Sequence, residues 1–150
     1  MLIFHIIFLT GLAVHTYTDL RYYLLYNSVS AVLFLAGLAY SFTAGVLADA
    51  CLGVAACAGV LLTLYFASNG GMGEGDVKLA PALGAWLGLE QGLLMLLAAF
   101  VGGGAVGGLL LLAGRKRKDL LPFGPFLCMG ALLAFYWGAK ILHWYWAIMY

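Results

Sequence analysis

Long apolar runs alternate with short polar breaks along the whole chain. The runs cover about residues 1–18, 28–48, 50–68, 77–90, 91–113 and 122–140. A membrane-crossing helix needs ~20 largely apolar residues. The pattern therefore predicts an all-α, polytopic integral membrane protein with six transmembrane helices. The first run has no basic stretch before it and no A-x-A-like site after it, so it reads as a retained membrane helix rather than a cleaved signal. The fourth is short and carries Pro81 near its start. The fifth contains Val101-Gly102-Gly103-Gly104-Ala105-Val106-Gly107-Gly108. Such a run weakens a helix in water, but in lipid small residues let helix backbones approach closely. It is expected to be a packing stripe. Beyond Lys140, the aromatic cluster Trp144-Tyr145-Trp146 suits a membrane–water interface.

Composition narrows the classes further. The 150 residues are 65% hydrophobic and 9% charged, with a mean hydropathy of +1.06. A soluble domain carries about 25% charged residues, so a water-soluble domain is excluded. Six spans leave roughly 30 residues for all loops and termini together. The expectation is one membrane-embedded domain over 1–150, surrounded by membrane lipid, with no nucleotide-binding fold and no nucleic-acid partner. Cys51, Cys57 and Cys128 form no C-x-x-C pair and sit in apolar runs, where they read as small packing residues.

Charge sets an orientation. With six spans, the connections after the first, third and fifth share a side and carry Arg21, Lys78, Arg115, Lys116, Arg117 and Lys118, whereas the opposite side has Lys140 alone. Basic residues mark the cytoplasmic side, so both termini are expected to be non-cytoplasmic. Asp19, Glu74, Asp76 and Asp119 fall with the basic residues, and Asp49 and Glu90 on the other side.

Asp19 follows the first apolar run, and Asp76 lies in Gly73-Glu74-Gly75-Asp76-Val77-Lys78 before the fourth. An ionisable group at the edge of a membrane span is costly and marks a functional candidate. Two carboxyl groups brought together do not both ionise easily. One then remains an acid while the other takes a proton from water, which is the equipment for aspartic peptide hydrolysis. The bland alternative is two solvated aspartates at helix ends. Gly73 and Gly75 strip side chains from the backbone near Asp76 and would let an extended substrate approach. The glycine-rich stretch 69–75 is expected to be mobile and to close the carboxyl pair on substrate. Glu74 reads as a solvated loop acid. Lys78 reads as a boundary residue that snorkels, or as an amine near the carboxylates or an acidic substrate residue. His15, four residues before Asp19, shares its helix face and is either structural or a tuner of Asp19. Pro122 and Pro125 shape a helix start or free a carbonyl for substrate backbone. No H-E-x-x-H pattern supports a metal built on His15, Asp19, Glu74 and Asp76, so no metal is expected.

These motifs carry a resemblance. Gly73-Glu74-Gly75-Asp76-Val77-Lys78-Leu79 resembles the GxGD signature of the type IV prepilin peptidases, a family of aspartic intramembrane peptidases. Asp19-Leu20-Arg21 is similar to the family's other catalytic aspartate site, and Leu121-Pro122-Phe123-Gly124-Pro125 to its proline-rich approach to the last helix. Gly84-Ala85-Trp86-Leu87-Gly88 fits the stretch after the GxGD. The resemblance implies catalytic roles for Asp19 and Asp76, no cofactor, a prepilin or pseudopilin substrate with a short basic leader, and an inner-membrane location with the active site facing the cytoplasm. Two departures stand out. Leu25-Tyr26-Asn27 lacks the proline the family often carries after its first aspartate. The two C-x-x-C pairs of bifunctional members are also absent, so the chain resembles short peptidase-only members and no methyltransferase activity is expected. The competing class is a small non-enzymatic transporter or assembly subunit, whose acids would lie near the bilayer midplane.

Overall fold

A computed structural model describes residues 1–68, 71–114 and 122–149. The basic run 115–118, Asp119, Leu121, the loop positions Asn69 and Gly70, and Tyr150 lie outside the described residues. The regular structure among the described residues is all helical, with α1 (Leu2–Tyr22), α2 (Asn27–Thr43), α3 (Leu47–Ala67), α4 (Glu74–Leu112) and α5 (Gly124–Met149). Apolar side chains face outward as well as inward. Ile3, Leu35, Phe66, Leu97 and Leu112 are all exposed. Helices that are apolar all round belong in lipid, and the chain is a multi-pass membrane protein.

The count of six spans is not supported. The described residues form five helices, and four of them are long and apolar enough to cross a membrane. Two differences account for this. α2 has 17 residues and falls short of the usual span. The expected boundary between 90 and 91 lies inside α4, where the helix does not end but breaks at Gly88, with φ 72° and ψ −169°. Only glycine adopts that conformation readily. At the other end, α5 runs on through the aromatic cluster to Met149 instead of stopping near Lys140.

The break reverses the chain. α3 begins beside it, where Asp49 Oδ1 accepts a hydrogen bond from the Leu89 N–H at 3.1 Å, and α3 ends beside the start of α4, where the Tyr65 hydroxyl donates to Glu74 Oε1 at 3.4 Å. The first limb, 74–87, is thus antiparallel to α3. Along α5, the rings of Phe123 and Phe100 stack at 5.3 Å. Further on, a Cβ on Gly130 would lie 2.5 Å from the Met95 carbonyl oxygen, and one on Gly138 would lie 3.1 Å from Gln91 Cγ. The second limb, 89–112, therefore runs antiparallel to α5 and returns to the end from which the first limb departs.

Close backbone packing occurs away from the predicted stripe. A Cβ on Gly84 would lie 2.6 Å from the Gly53 carbonyl oxygen, so α3 and the first limb touch backbone to backbone. In the 101–108 run, Gly102 and Gly103 do face Phe126 and Phe123, but Gly104 and Gly108 meet nothing within 4 Å. The core beneath is aromatic. Trp86 Nε1 donates to the Leu33 carbonyl at 2.8 Å. The Trp86 indole stacks on Tyr40 at 5.4 Å and lies 5.0 Å from Phe8, which in turn packs on Phe135 at 4.7 Å. This cluster joins α1, α2, α4 and α5 around the first limb.

Candidate active site

Asp19 and Asp76 come from opposite chemical ends of their helices but meet at one end of the bundle. Asp19 lies in the last turn of α1, and Asp76 in the first turn of α4. Both are buried, at 6% and 5% exposure. No Cα of α1 lies within 8 Å of a Cα of α4, so the carboxyl groups face each other across a gap rather than a packed helix contact. That gap is a cavity of about 410 Å³ lined by Asp19, Tyr23, Gly71, Met72, Gly73, Asp76, Pro122 and Phe123.

Each carboxyl group has its own setting. The Gly124 N–H, at the start of α5, donates to Asp19 Oδ2 at 2.9 Å. A helix N-terminus suits a carboxylate because its first N–H groups lack intrahelical partners. A Cβ on Gly124 would fall 2.6 Å from Asp19 Oδ2, so this approach requires glycine. Asp76 sits three residues past Gly73, the extended N-cap residue of α4. Its Oδ1 is buried and has no hydrogen-bond partner among the described residues. A Cβ on Gly73 would lie 3.0 Å from Asp76 Oδ2.

The other sequence candidates divide. Gly73 and Pro122 line the cavity with the two aspartates. Gly75 does not. It belongs to the first turn of α4, where a Cβ would lie 2.7 Å from Leu25 Cβ, so it is a packing residue against the α1–α2 connection. Pro125 is buried in the first turn of α5 without lining the cavity. Lys78 is exposed and borders, with Glu74, Tyr65 and Phe66, a separate groove on the outer face of α3 and α4. His15 is fully buried, and its Nε2 is hydrogen-bonded to Ser30 Oγ at 3.3 Å. Among the described residues, no three His, Cys, Asp or Glu side chains converge on a metal-sized site.

Sequence reasoning missed Tyr23, Met72, Phe123 and the role of Gly124. Tyr23 closes α1 in the left-handed conformation, with φ 54°, and its N–H donates to the Asp19 carbonyl at 2.9 Å. Nothing in a Tyr-Tyr pair announces a positive φ. Gly124 carried a signal, since a lone glycine between two prolines at a helix start leaves room for a neighbouring atom.

Fold and site together define a polytopic helical membrane protein with two buried carboxyl groups facing one cavity at the end of the bundle. Residues 6–108 match the type IV leader peptidase family, and the chain belongs to that family. It is 36% identical over 138 residues to a prepilin leader peptidase/N-methyltransferase of Legionella pneumophila, an alignment covering 86% of this chain and 48% of the relative. It is 38% identical to one of Aeromonas hydrophila, over 87% of this chain and 48% of the relative. A shorter stretch of 69 residues is 48% identical to one of Burkholderia pseudomallei, covering 45% of this chain and 22% of the relative. The chain thus spans about half the length of the first two relatives. No solved structure matches it.

Proposed function

We propose that this chain is an aspartic endopeptidase that removes the N-terminal leader of prepilin-like or pseudopilin proteins at the cytoplasmic face of the inner membrane. The observation that carries the reading is the cavity shared by Asp19 and Asp76. The family membership and the relatives' printed name, prepilin leader peptidase/N-methyltransferase, support the substrate class.

The chemistry follows from one proton shared between two carboxyl groups. The ionised carboxylate takes a proton from a water held in the cavity, and the water oxygen attacks the scissile carbonyl carbon. The protonated carboxyl stabilises the carbonyl oxygen, and a proton then passes to the leaving amide nitrogen as the C–N bond breaks. The Gly124 N–H holds Asp19 Oδ2 and leaves the other oxygen to this exchange. Pro122 and Gly73 border the cavity with little bulk or no side chain, a wall suited to extended substrate backbone.

Orientation is part of the same proposal. The two limbs of α4 cross the membrane separately, giving six passes. Residues 2 and 149 then lie on the face opposite Asp19 and Asp76, with Arg21 and Lys78 at the aspartate end. The positive-inside rule makes that end cytoplasmic. Acids at helix ends favour this reading over a transporter, which keeps its acids near the midplane.

The test is incubation of the purified protein in detergent with candidate prepilins, followed by mass measurement. The expected product lacks its leader. Intact substrate beside folded protein would overturn the reading.

A further inference from the structure

Tyr23 ends α1 with a left-handed backbone, φ 54° and ψ 36°. Among the described residues no other non-glycine residue has a positive φ. Side chains resist that conformation, whereas glycine takes it freely at the end of a helix. Turning the chain at 23 therefore needs no side chain, and a tyrosine there costs stability. No contact within the fold offsets that cost. Among the described residues the Tyr23 ring pairs with no other ring and its hydroxyl makes no hydrogen bond. Its neighbour Tyr22, by contrast, packs on Tyr17 with the ring centroids 6.5 Å apart. What Tyr23 does line is the cavity of Asp19 and Asp76.

The walls of that cavity sort by chemistry. Asp19 and Asp76 supply the carboxyl groups, Gly71 and Gly73 supply no side chain, and Met72, Pro122 and Phe123 supply apolar surface. Strained backbone persists at sites that bind or react, where the strain holds a group in place for its task. An aromatic ring there offers a large contact area for few rotatable bonds. We propose that Tyr23 is a specificity-determining residue. Its ring, with Met72 and Phe123, receives an apolar side chain of the substrate next to the scissile bond, while the substrate backbone lies over the glycines and the carboxyl pair. This rests on the peptidase reading and adds to it the kind of side chain the site selects and the residue that selects it.

Tyr23→Gly is the decisive variant, because it removes the ring and relieves the backbone together. Leader substrates that carry Leu or Ser at the residue before or after the cut give the readout. At one of these two positions the wild-type protein is expected to favour Leu by about tenfold in kcat/KM, and Tyr23→Gly by no more than about twofold. The loss should lie in KM, with kcat held within about threefold, and the melting temperature in detergent should match or exceed that of the wild type. Tyr23→Phe should keep the wild-type preference, since the face of the ring carries the contact. A Tyr23→Gly variant that favours Leu as the wild type does, or that loses cleavage equally on the Leu and Ser substrates, would reduce Tyr23 to a helix end and overturn the proposal. Equal cleavage of Leu and Ser substrates by the wild type at both positions would overturn it too. In each of these cases leader removal itself stands. A wild-type protein that cleaves none of the substrates overturns the peptidase reading, and the role of Tyr23 with it.

Discussion

The Gly124 N–H and Asp19 Oδ2 are 2.9 Å apart, although 105 positions separate them in the chain. The contact ties the end of α1 to the start of α5 and leaves no room for a side chain at 124. A methyl group there would lie 2.6 Å from the carboxyl oxygen. Gly124→Ala is expected to cut cleavage by about fivefold or more, because the methyl displaces a positioning hydrogen bond whose loss costs roughly 1–3 kcal/mol. The melting temperature in detergent should fall as well, because the same contact joins α1 to α5. Full activity in this variant would mean that Asp19 works without the bond.

Asp19→Asn and Asp76→Asn should each abolish leader cleavage, since neither carboxyl can serve as both acid and base. Each variant should keep or raise its melting temperature, because an amide buries more cheaply than a carboxylate. Glu74→Gln should retain most activity, as Glu74 is exposed and bonds Tyr65 outside the cavity. Mass measurement of the product and thermal scans in detergent check all three.

Gly73 and Gly75 should part company. Gly73→Ala puts a methyl 3.0 Å from Asp76 Oδ2 and is expected to slow cleavage with little loss of stability. Gly75→Val collides with Leu25 and is expected to lower the melting temperature first. Equal loss of stability in both variants would contradict the assignment of Gly73 to the cavity.

The reversal in α4 rests on Gly88 and Asp49. A Cβ on Gly88 would overlap the Asp49 carboxylate, and its φ of 72° with ψ of −169° is glycine's alone. Gly88→Ala should cost more than the roughly 1–3 kcal/mol of a strained backbone. Asp49→Ala, which uncovers the Leu89 N–H, should cost about 1 kcal/mol, and Asp49→Asn should restore most of it. Thermal unfolding ranks the three variants.

Orientation can be read by labelling in intact cells. With the exposed Cys51 replaced by Ser, Ser68→Cys should react only after cytoplasmic access is opened, and Trp144→Cys should react from outside. The reverse pattern would put the aspartates on the wrong face for a cytoplasmic leader.

Much of this was legible in the chain. The aspartate pair could be read because charged residues at the edges of apolar runs are few, so each one carries information. The break in α4 could be placed only to within a few residues, since Leu87, Gly88 and Leu89 read as uninterrupted membrane sequence and one glycine does not announce a reversal. The glycine run at 101–108 was read correctly only in part, since Gly102 and Gly103 pack on Phe126 and Phe123 while Gly104 and Gly108 meet nothing within 4 Å. Small residues permit close approach, but only a facing backbone uses it, and that backbone lies at Gly53 and Gly84. The shape of the cavity was hidden altogether, because Tyr23 and Phe123 enter it through a left-handed helix end and a turn that no periodicity encodes.

The first limb of α4 has a consequence for the surrounding lipid. Residues 74–87 rise only about 21 Å, whereas a typical hydrocarbon layer is ~30 Å thick. If the limb crosses alone, as proposed, a crossing that short is matched when the bilayer thins around it. Asp76 begins this limb, so under the proposed six-pass orientation the membrane surface would dip toward the carboxyl pair. On the proposed function, solvent would then reach the carboxyl pair from the surface, and a substrate helix would not have to be drawn out of the lipid to meet it.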